Sequence, residues 1–302
     1  MIELTDTNSS EIAAAFVRDR IRAGSPAMGM VLTLIVVVED EEAEEAMACA
    51  RAASKEHPAR VLGVILGDGR GAPQVHAQVG IGQGWTGETA MIWLRGEVVK
   101  HPDSVVLPLL LPDSPVAVWW AGNAPMDPAH DPLGALAQRR ITDAAAVTRG
   151  KQKAMHTLCA AYSPGNTDLA WTRLTPWRAL LASALDQYEL PVTSAVVTAE
   201  RISPSADLMA VWLRERLKVR VERKSSKGPG ITEIVLETKK GPIRITRLDG
   251  KLATISSPER PDRPIALKRL EIPALLAEEL RRLDEDNVYA DVAKAFAKKS
   301  LS

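Results

Sequence analysis

The chain has 302 residues, 46% of them hydrophobic, enough to bury a sizeable core and to form two domains. Lys and Arg together number 38, as do Asp and Glu, so the formal net charge is zero. That balance argues against nucleic acid or an anionic membrane as the main partner, because both reward a basic surplus. Met1–Ser10 is polar, and the longest apolar stretch, Val105–Trp120, is broken by Pro108, Pro112, Asp113 and Pro115. Neither a secretory signal nor a membrane span is expected, and the cytoplasm is the default location.

The first element is a helix over Glu11–Ala23, with Ser9 or Ser10 as its cap and Ile12 and Phe16 on one side. Met30–Val38 is a β-branched run suited to a strand covered on both faces. Glu41–Ser54 repeats apolar residues at helical spacing behind an acidic first turn, and Arg60–Leu66 is again a strand. Strand, helix and strand make a βαβ unit. Val75–Ile81, Thr89–Leu94, Val105–Leu111 and Val116–Trp120 can supply further strands. Ala121–Pro132 reads as a loop, and Asp131-Pro132 as the cap and first position of a short helix over Leu133–Arg140.

Tyr162–Thr167 is a second turn. Beyond it Pro176 requires two short helices or one kinked helix, the second part carrying Trp177, Leu180, Leu181, Ala184 and Leu185 on one face. The last third predicts a strand at Ser194–Thr198 and a helix from Pro204 to about Leu217. Strands follow at Val219–Arg223, Ile231–Thr238, Ile243–Leu248 and Lys251–Ser256, with Asp249-Gly250 as a hairpin turn. Pro258–Pro264 reads as a loop, Ile265–Leu270 as a strand, and Pro273–Leu283 and Tyr289–Ala297 as closing helices. The expected class is α/β. An N-terminal α/β half with a βαβ unit, residues 1–150, precedes a C-terminal α+β half with an antiparallel sheet and terminal helices, residues 151–302.

Candidate chemistry is sparse. Gly82-Gln-Gly84-Trp-Thr-Gly87 matches the spacing of a dinucleotide fingerprint, but Glu88–Leu94 reads as a strand where a helix is required. A glycine-rich turn is the competing reading. The five histidines form no pair at metal-ligand spacing, so neither a metal nor a cofactor is expected. Cys49 and Cys159 read as two reduced thiols, with a redox pair as the alternative. Trp119 and Trp120 are adjacent on a strand and point to opposite faces; both can be core, or one can face a partner or a sugar. Arg139, Arg140 and Asp143 are either a solvated helix end or a clamp for a carboxylate or phosphate.

Asp168-Leu-Ala-Trp171-Thr-Arg173-Leu-Thr-Pro176-Trp177-Arg178 combines the residue types that dominate binding hot spots, with no nucleophile–base pair. Four of the seven tryptophans lie between positions 119 and 177, beside these arginines. The clustering points to one contact surface made by Trp119, Trp120, Arg139, Arg140, Asp143, Asp168, Trp171, Arg173, Trp177 and Arg178. Of these, Trp177 starts an apolar stripe and is the weakest candidate.

Three of these stretches resemble signatures of the OpcA family: Leu109–Trp120, Asp131–Ala144 and Tyr162–Arg178. Ser54-Lys-Glu-His57-Pro58 is similar to a shorter element, with Lys55 in place of an arginine; Asn166 stands in place of an aspartate in the third stretch. The N-terminal length fits the actinobacterial branch. The resemblance implies a non-catalytic assembly or activator protein whose partner is glucose-6-phosphate dehydrogenase, the enzyme that opens the oxidative pentose phosphate pathway and makes NADPH. It brings no catalytic residues to carry over, and no cysteine motif that covers Cys49 or Cys159. The alternative from another class is an enzyme or metabolite sensor binding a nucleotide or sugar phosphate, resting on Gly82–Gly87, the βαβ unit and Arg139/Arg140.

Overall fold

All seven residues of Leu32–Val38 are buried, which sets this strand in the middle of a sheet covered on both faces. The computed structural model describes residues 1–23, 29–81, 87–187, 191–258 and 260–298. In chain order the first elements are β1 (Ile2–Leu4), α1 (Ser9–Ala23), β2 (Leu32–Val38), α2 (Ala43–Ala53), β3 (Ala59–Leu66), β4 (Gln74–Ile81) and β5 (Gly87–Arg95). Then come α3 (Pro102–Val106), β6 (Val116–Trp120), β7 (Arg139–Thr142), α4 (Lys151–Ala160), β8 (Asn166–Asp168), α5 (Leu169–Thr172) and α6 (Thr175–Gln187). The rest are β9 (Val192–Glu200), α7 (Pro204–Leu217), β10 (Arg220–Ser226), β11 (Ile231–Thr238), β12 (Ile243–Thr246), β13 (Leu252–Ser257), β14 (Arg260–Ala266), α8 (Ile272–Arg281) and α9 (Asn287–Ala297).

Contacts divide the chain into two units, neither continuous in sequence. The first holds Met1–Asp143, Ser163–Thr167 and Ile272–Glu285; the second holds Ala144–Tyr162, Asp168–Glu271 and the chain from Asp286 on. The units therefore interleave rather than following one another as residues 1–150 and 151–302. Charge explains why α8 joins the first unit. Arg139 on β7 is buried and paired with the buried Glu279 of α8, its Nε donating to Oε2 at 3.1 Å and its Nη1 to the Asp284 carbonyl at 3.0 Å.

The first unit carries an eight-stranded sheet in the order β1-β4-β5-β3-β2-β6-β7-β8. β5, β3, β2, β6 and β7 run parallel, while β4 and β1 are antiparallel additions. The βαβ reading of β2-α2-β3 holds. The order reverses between β2 and β6, the point where open α/β sheets hold ligands at their carboxyl ends. Two elements differ from the sequence reading. Val105–Leu111 is not a strand: Pro102 opens α3 at its first turn, and Pro108 continues it as a 3-10 turn over Leu107–Leu109. Leu133–Arg140 is not a helix. Asp131 does cap a turn, its Oδ1 accepting from Leu133 and Gly134, but the turn is a 3-10 piece over Gly134–Leu136 and the chain then pairs with β6 as β7. The cap of α1 is Asn8, whose Oδ1 accepts from the Glu11 N–H at 3.1 Å, rather than a serine.

The second unit carries a six-stranded sheet, β10-β9-β11-β12-β13-β14, antiparallel except for the β9–β10 pair. Its inward face joins Val197, Ile234, Leu236 and Ile245 to Leu208 of α7, Leu181 of α6 and Val292 of α9 in one core. The hairpin at Asp249-Gly250 is present, Asp249 Oδ1 accepting from the Lys251 N–H at 2.8 Å. The proline-rich stretch read as a loop is the edge strand β14, exposed throughout. Pro261 and Pro264 fit an edge, where a missing N–H breaks no ladder and discourages further pairing. Among the described residues no helix is long and apolar enough to cross a membrane.

The Arg139–Glu279 pair yields a stability test. Glu279→Leu leaves a buried guanidinium without its carboxylate and should cost about 3–5 kcal/mol in urea unfolding. Arg139→Met combined with Glu279→Leu should recover most of that loss; equal midpoints for the single and double variants would show the pair to be inert.

Candidate partner-binding site

The segment from Asp168 to Arg178 is held from within. Asp168 is 0% exposed. Its Oδ1 accepts from the Ala170 N–H at 2.8 Å, capping α5, and its Oδ2 from the Ala144 N–H at 3.0 Å. A carboxylate removed from water needs such donors, and here they tie two distant stretches of the second unit. α5 ends after one turn, and the Leu174 carbonyl accepts from the Arg178 N–H at 2.8 Å to open α6. Thr175 and Pro176 thus take the first two positions of a separate helix, where an absent N–H is harmless.

Trp171 is buried with its Nε1 donating to Asp286 Oδ2 at 2.8 Å. The other carboxylate oxygen of Asp286 caps α9, accepting from the Val288 and Tyr289 N–H groups at 2.9 Å each. The Trp171 ring lies 5.7 Å from that of Tyr289, which meets Tyr162 edge-on at 5.8 Å. The Arg178 guanidinium stacks 3.8 Å above Trp171 while its Nη2 donates to Thr175 Oγ1 at 3.1 Å. Trp177 faces the same core, with the Arg247 guanidinium 4.9 Å from its ring centre.

The remaining residues of the expected contact surface lie in or at the end of strands of the first sheet. Arg140 on β7 is buried, its Nε donating to Asn166 Oδ1 at 2.6 Å, Nη1 to the Ala137 carbonyl at 2.6 Å, and Nη2 to the Pro164 carbonyl. It thereby fixes the Ser163–Asn166 turn. Gly165 is required there: it has φ of +89°, and a Cβ would overlap the Gln138 carbonyl. Trp119 and Trp120 are both buried on β6, Trp120 within the first unit's core, and Asp143 is buried as well.

Eight of the ten residues, all but Arg173 and Arg178, are therefore interior. Trp and Arg serve hot spots and interiors alike, since each offers a large apolar area with polar atoms that find partners when buried. Arg139 and Arg140 do not end a helix; they sit on a strand with their charges met inside. Sequence reasoning missed Asp286, although an aspartate before the apolar stripe of α9 is a cap signal, and it missed Arg247 and Glu279.

Neither cysteine is bonded to the other. Cys159 lies against Met155, its Sγ 3.5 Å from the thioether, and burial pushes its thiol far up; burial also raises Cys49, which is only half-buried. Among the described residues no group of three His, Cys, Asp or Glu is arranged for a metal.

The nucleotide reading keeps its βαβ unit but not the helix its glycines require, and Arg139 and Arg140 are engaged inside the first unit. Residues 82–86 lie outside the described residues, but Gly87 opens β5, which pairs antiparallel with β4; a helix N-terminus does not follow the glycines. At the switch point β2 leads into Glu39, Asp40, Glu41 and Glu42, all exposed. Asp40 accepts from Trp93 Nε1 at 2.7 Å, and Glu39 from Asn123 Nδ2 at 3.4 Å. Four carboxylates where a phosphate would meet a helix N-terminus repel it.

Two family models match the chain. Residues 50–160 match the one described as the N-terminal domain of the glucose-6-phosphate dehydrogenase subunit, and residues 164–293 match the one described as its C-terminal domain. The chain belongs to the OpcA family. Both matched OpcA domains occur once and in order, and the C-terminal match takes in Asp168–Arg178, Arg247, Glu279 and Asp286 together. No curated protein matches the chain. A solved structure described as "Trehalose-6-phosphate from E. coli bound with UDP-2-fluoro glucose" is similar over 65% of this chain and 65% of its own, just under two thirds, at 13% identity and a TM-score of 0.26. A likeness that slight carries no argument about this OpcA chain.

Two outcomes follow from this geometry. Asp168→Ala leaves two buried N–H groups without acceptors and should cost about 3 kcal/mol in chemical denaturation. With a thiol reagent at neutral pH, Cys49 should react in the folded protein and Cys159 only on unfolding; two thiols titrating together under native conditions would contradict the burial of Cys159.

Proposed function

We propose that this chain is a non-catalytic assembly factor and activator of glucose-6-phosphate dehydrogenase, working in the cytoplasm by docking on that enzyme, with no part for nucleic acid or membrane. The observation that carries the reading is the ordered match to two domains named for a subunit of that enzyme. The chemistry of the motif supports it: Asp168, Trp171, Asp286 and Tyr289 are engaged with one another and with backbone, as supports rather than as a reaction centre.

Activation then works by preference. A chain that binds the active form of the enzyme more tightly than the inactive form shifts the population toward the active one. Within the motif, Arg173 and Arg178 are half-buried, while Asp168, Trp171 and Trp177 are buried and hold that part of the second unit in shape.

Mixing the chain with the dehydrogenase of the same organism should give a co-eluting complex and a change in substrate affinity of about five- to 150-fold, the range of a coupling of about 1–3 kcal/mol. The chain alone should not reduce NADP with glucose 6-phosphate. Absence of both complex and rate change would end the proposal. Arg178→Ala should weaken activation by about tenfold if its guanidinium makes the contact; unchanged activation by a folded variant would assign Arg178 to support alone.

A further inference from the structure

The alternation Ile243-Arg-Ile245-Thr-Arg247 puts Arg247 on the same side as two core isoleucines, and it is 6% exposed. Its Nη1 donates to the Leu267 carbonyl at 3.0 Å and its Nη2 to the Ile231 carbonyl at 3.3 Å. Its Nε has no partner, and among the described residues no carboxylate forms an ion pair with it. Burial, and then the neighbouring Arg269, pull its pKa down to about 10, with only a smaller opposing pull from Asp249. A buried cation beside a second cation is expensive to keep, and an apolar residue would avoid that cost.

Arg269 is exposed. Its N–H donates to the Gly250 carbonyl at 3.0 Å, and its side chain lies over Gly230 and Gly250, where a Cβ would meet it at 3.9 and 3.5 Å. Gly250 has φ of +74°, so a side chain there is disfavoured on both counts. The backbone bonds Glu200 N–H to Gly230 carbonyl, Arg247 N–H to Thr232 carbonyl and Leu267 N–H to Lys251 carbonyl draw the neighbouring loops to this one end of the sheet. They bring Lys227 and Lys268, both exposed, and two exposed leucines, Leu248 at 74% and Leu270 at 38%. The acid in the turn, Asp249, is already engaged by the Lys251 and Leu252 N–H groups.

We propose that this end of the six-stranded sheet is a docking site for an acidic segment of a protein partner, with carboxylates facing Arg269 and Lys268, an apolar side chain on Leu248, and Arg247 supplying positive potential from beneath. The leucines decide for a polypeptide over a small anion, because a free phosphate gains nothing from them. The inference rests on the activator reading in taking glucose-6-phosphate dehydrogenase as that partner. By contrast, the open cleft of about 700 Å³ between α7 and α9 has cations already opposed by acids, Lys218 by Glu215 at 3.2 Å and Arg216 by Asp291 at 3.5 Å.

The test uses the full chain, Arg269→Glu and Leu248→Ser, with binding measured to the dehydrogenase and, separately, to poly-L-glutamate as a plain acidic probe. Both substituted side chains are exposed, so unchanged melting curves are expected and confirm folding. Both variants should bind the dehydrogenase about tenfold or more weakly, with the wild-type complex weakening as salt rises, and Arg269→Glu should lose poly-L-glutamate. Wild-type affinity for the dehydrogenase in both variants overturns the docking site and leaves the activator reading intact. Failure of the wild-type chain to bind the dehydrogenase ends the activator reading instead. The poly-L-glutamate arm then decides the inference: loss in Arg269→Glu supports recognition of acidic chains here, and unchanged binding overturns it.

Discussion

A charge taken out of water must be met inside the protein, and in this chain that requirement decides which distant segments belong together. Asp168 is met by two backbone N–H groups, one of them 24 residues away at Ala144. Arg139 is met by Glu279, 140 residues on, which draws α8 out of its sequence neighbourhood and into the first unit. Arg140 is met by the turn carbonyls and Asn166. Glu88 is buried between Arg20 and Arg60, whose Nε atoms approach it at 3.0 and 2.8 Å. The core supplies the driving force for collapse, but it is indifferent to which apolar faces meet. The ions are not, and they specify the interleaving.

That division explains what could be read from sequence. The βαβ unit, β11, α7 and the Asp249-Gly250 hairpin follow from local periodicity and turn chemistry, and all are present. Val105–Leu111 misled because a β-branched, leucine-rich run looks the same in a buried helical turn as in a strand; Pro102 at the first helical turn was the deciding residue. Leu133–Arg140 misled because a good cap at Asp131 says where a helix can start and nothing about its length, which pairing with β6 cut to one turn. α4 leaves little mark in the sequence because its first turn is basic and it buries only Met155 and Cys159. At the site, residue types located the important stretch but could not report exposure. Trp171 and Trp177 have the composition of a hot spot and the position of a core. Partners such as Asp286 and Glu279, more than 100 residues distant, carry no local mark of the bond they make.

The interior position of the motif alters how such a chain can act on a partner. Side chains buried within the unit cannot also be the main contacts, so their contribution is rigidity: Asp286 caps α9 and holds the buried Trp171, and Trp171 carries the half-buried Arg178, which also binds Thr175 at the start of α6. A surface stiffened in this way loses less entropy when a partner arrives, and the binding energy is available to favour one conformation of that partner over another.

Arg247 differs from Arg139 and Glu88, whose buried charges are met by opposite charges. Its carbonyl partners satisfy hydrogen bonding without neutralising charge, and its cationic neighbour Arg269 adds to the imbalance. A sequence that elsewhere pairs residues across 140 positions to balance a single arginine leaves this one unbalanced at an end of the sheet where leucines are exposed. Departures from local consistency that a fold retains at a stability cost are expected where function uses them. A cation buried just beneath a surface is screened far less by salt than one upon it, so it gives a docking anion a field that surface lysines alone do not provide.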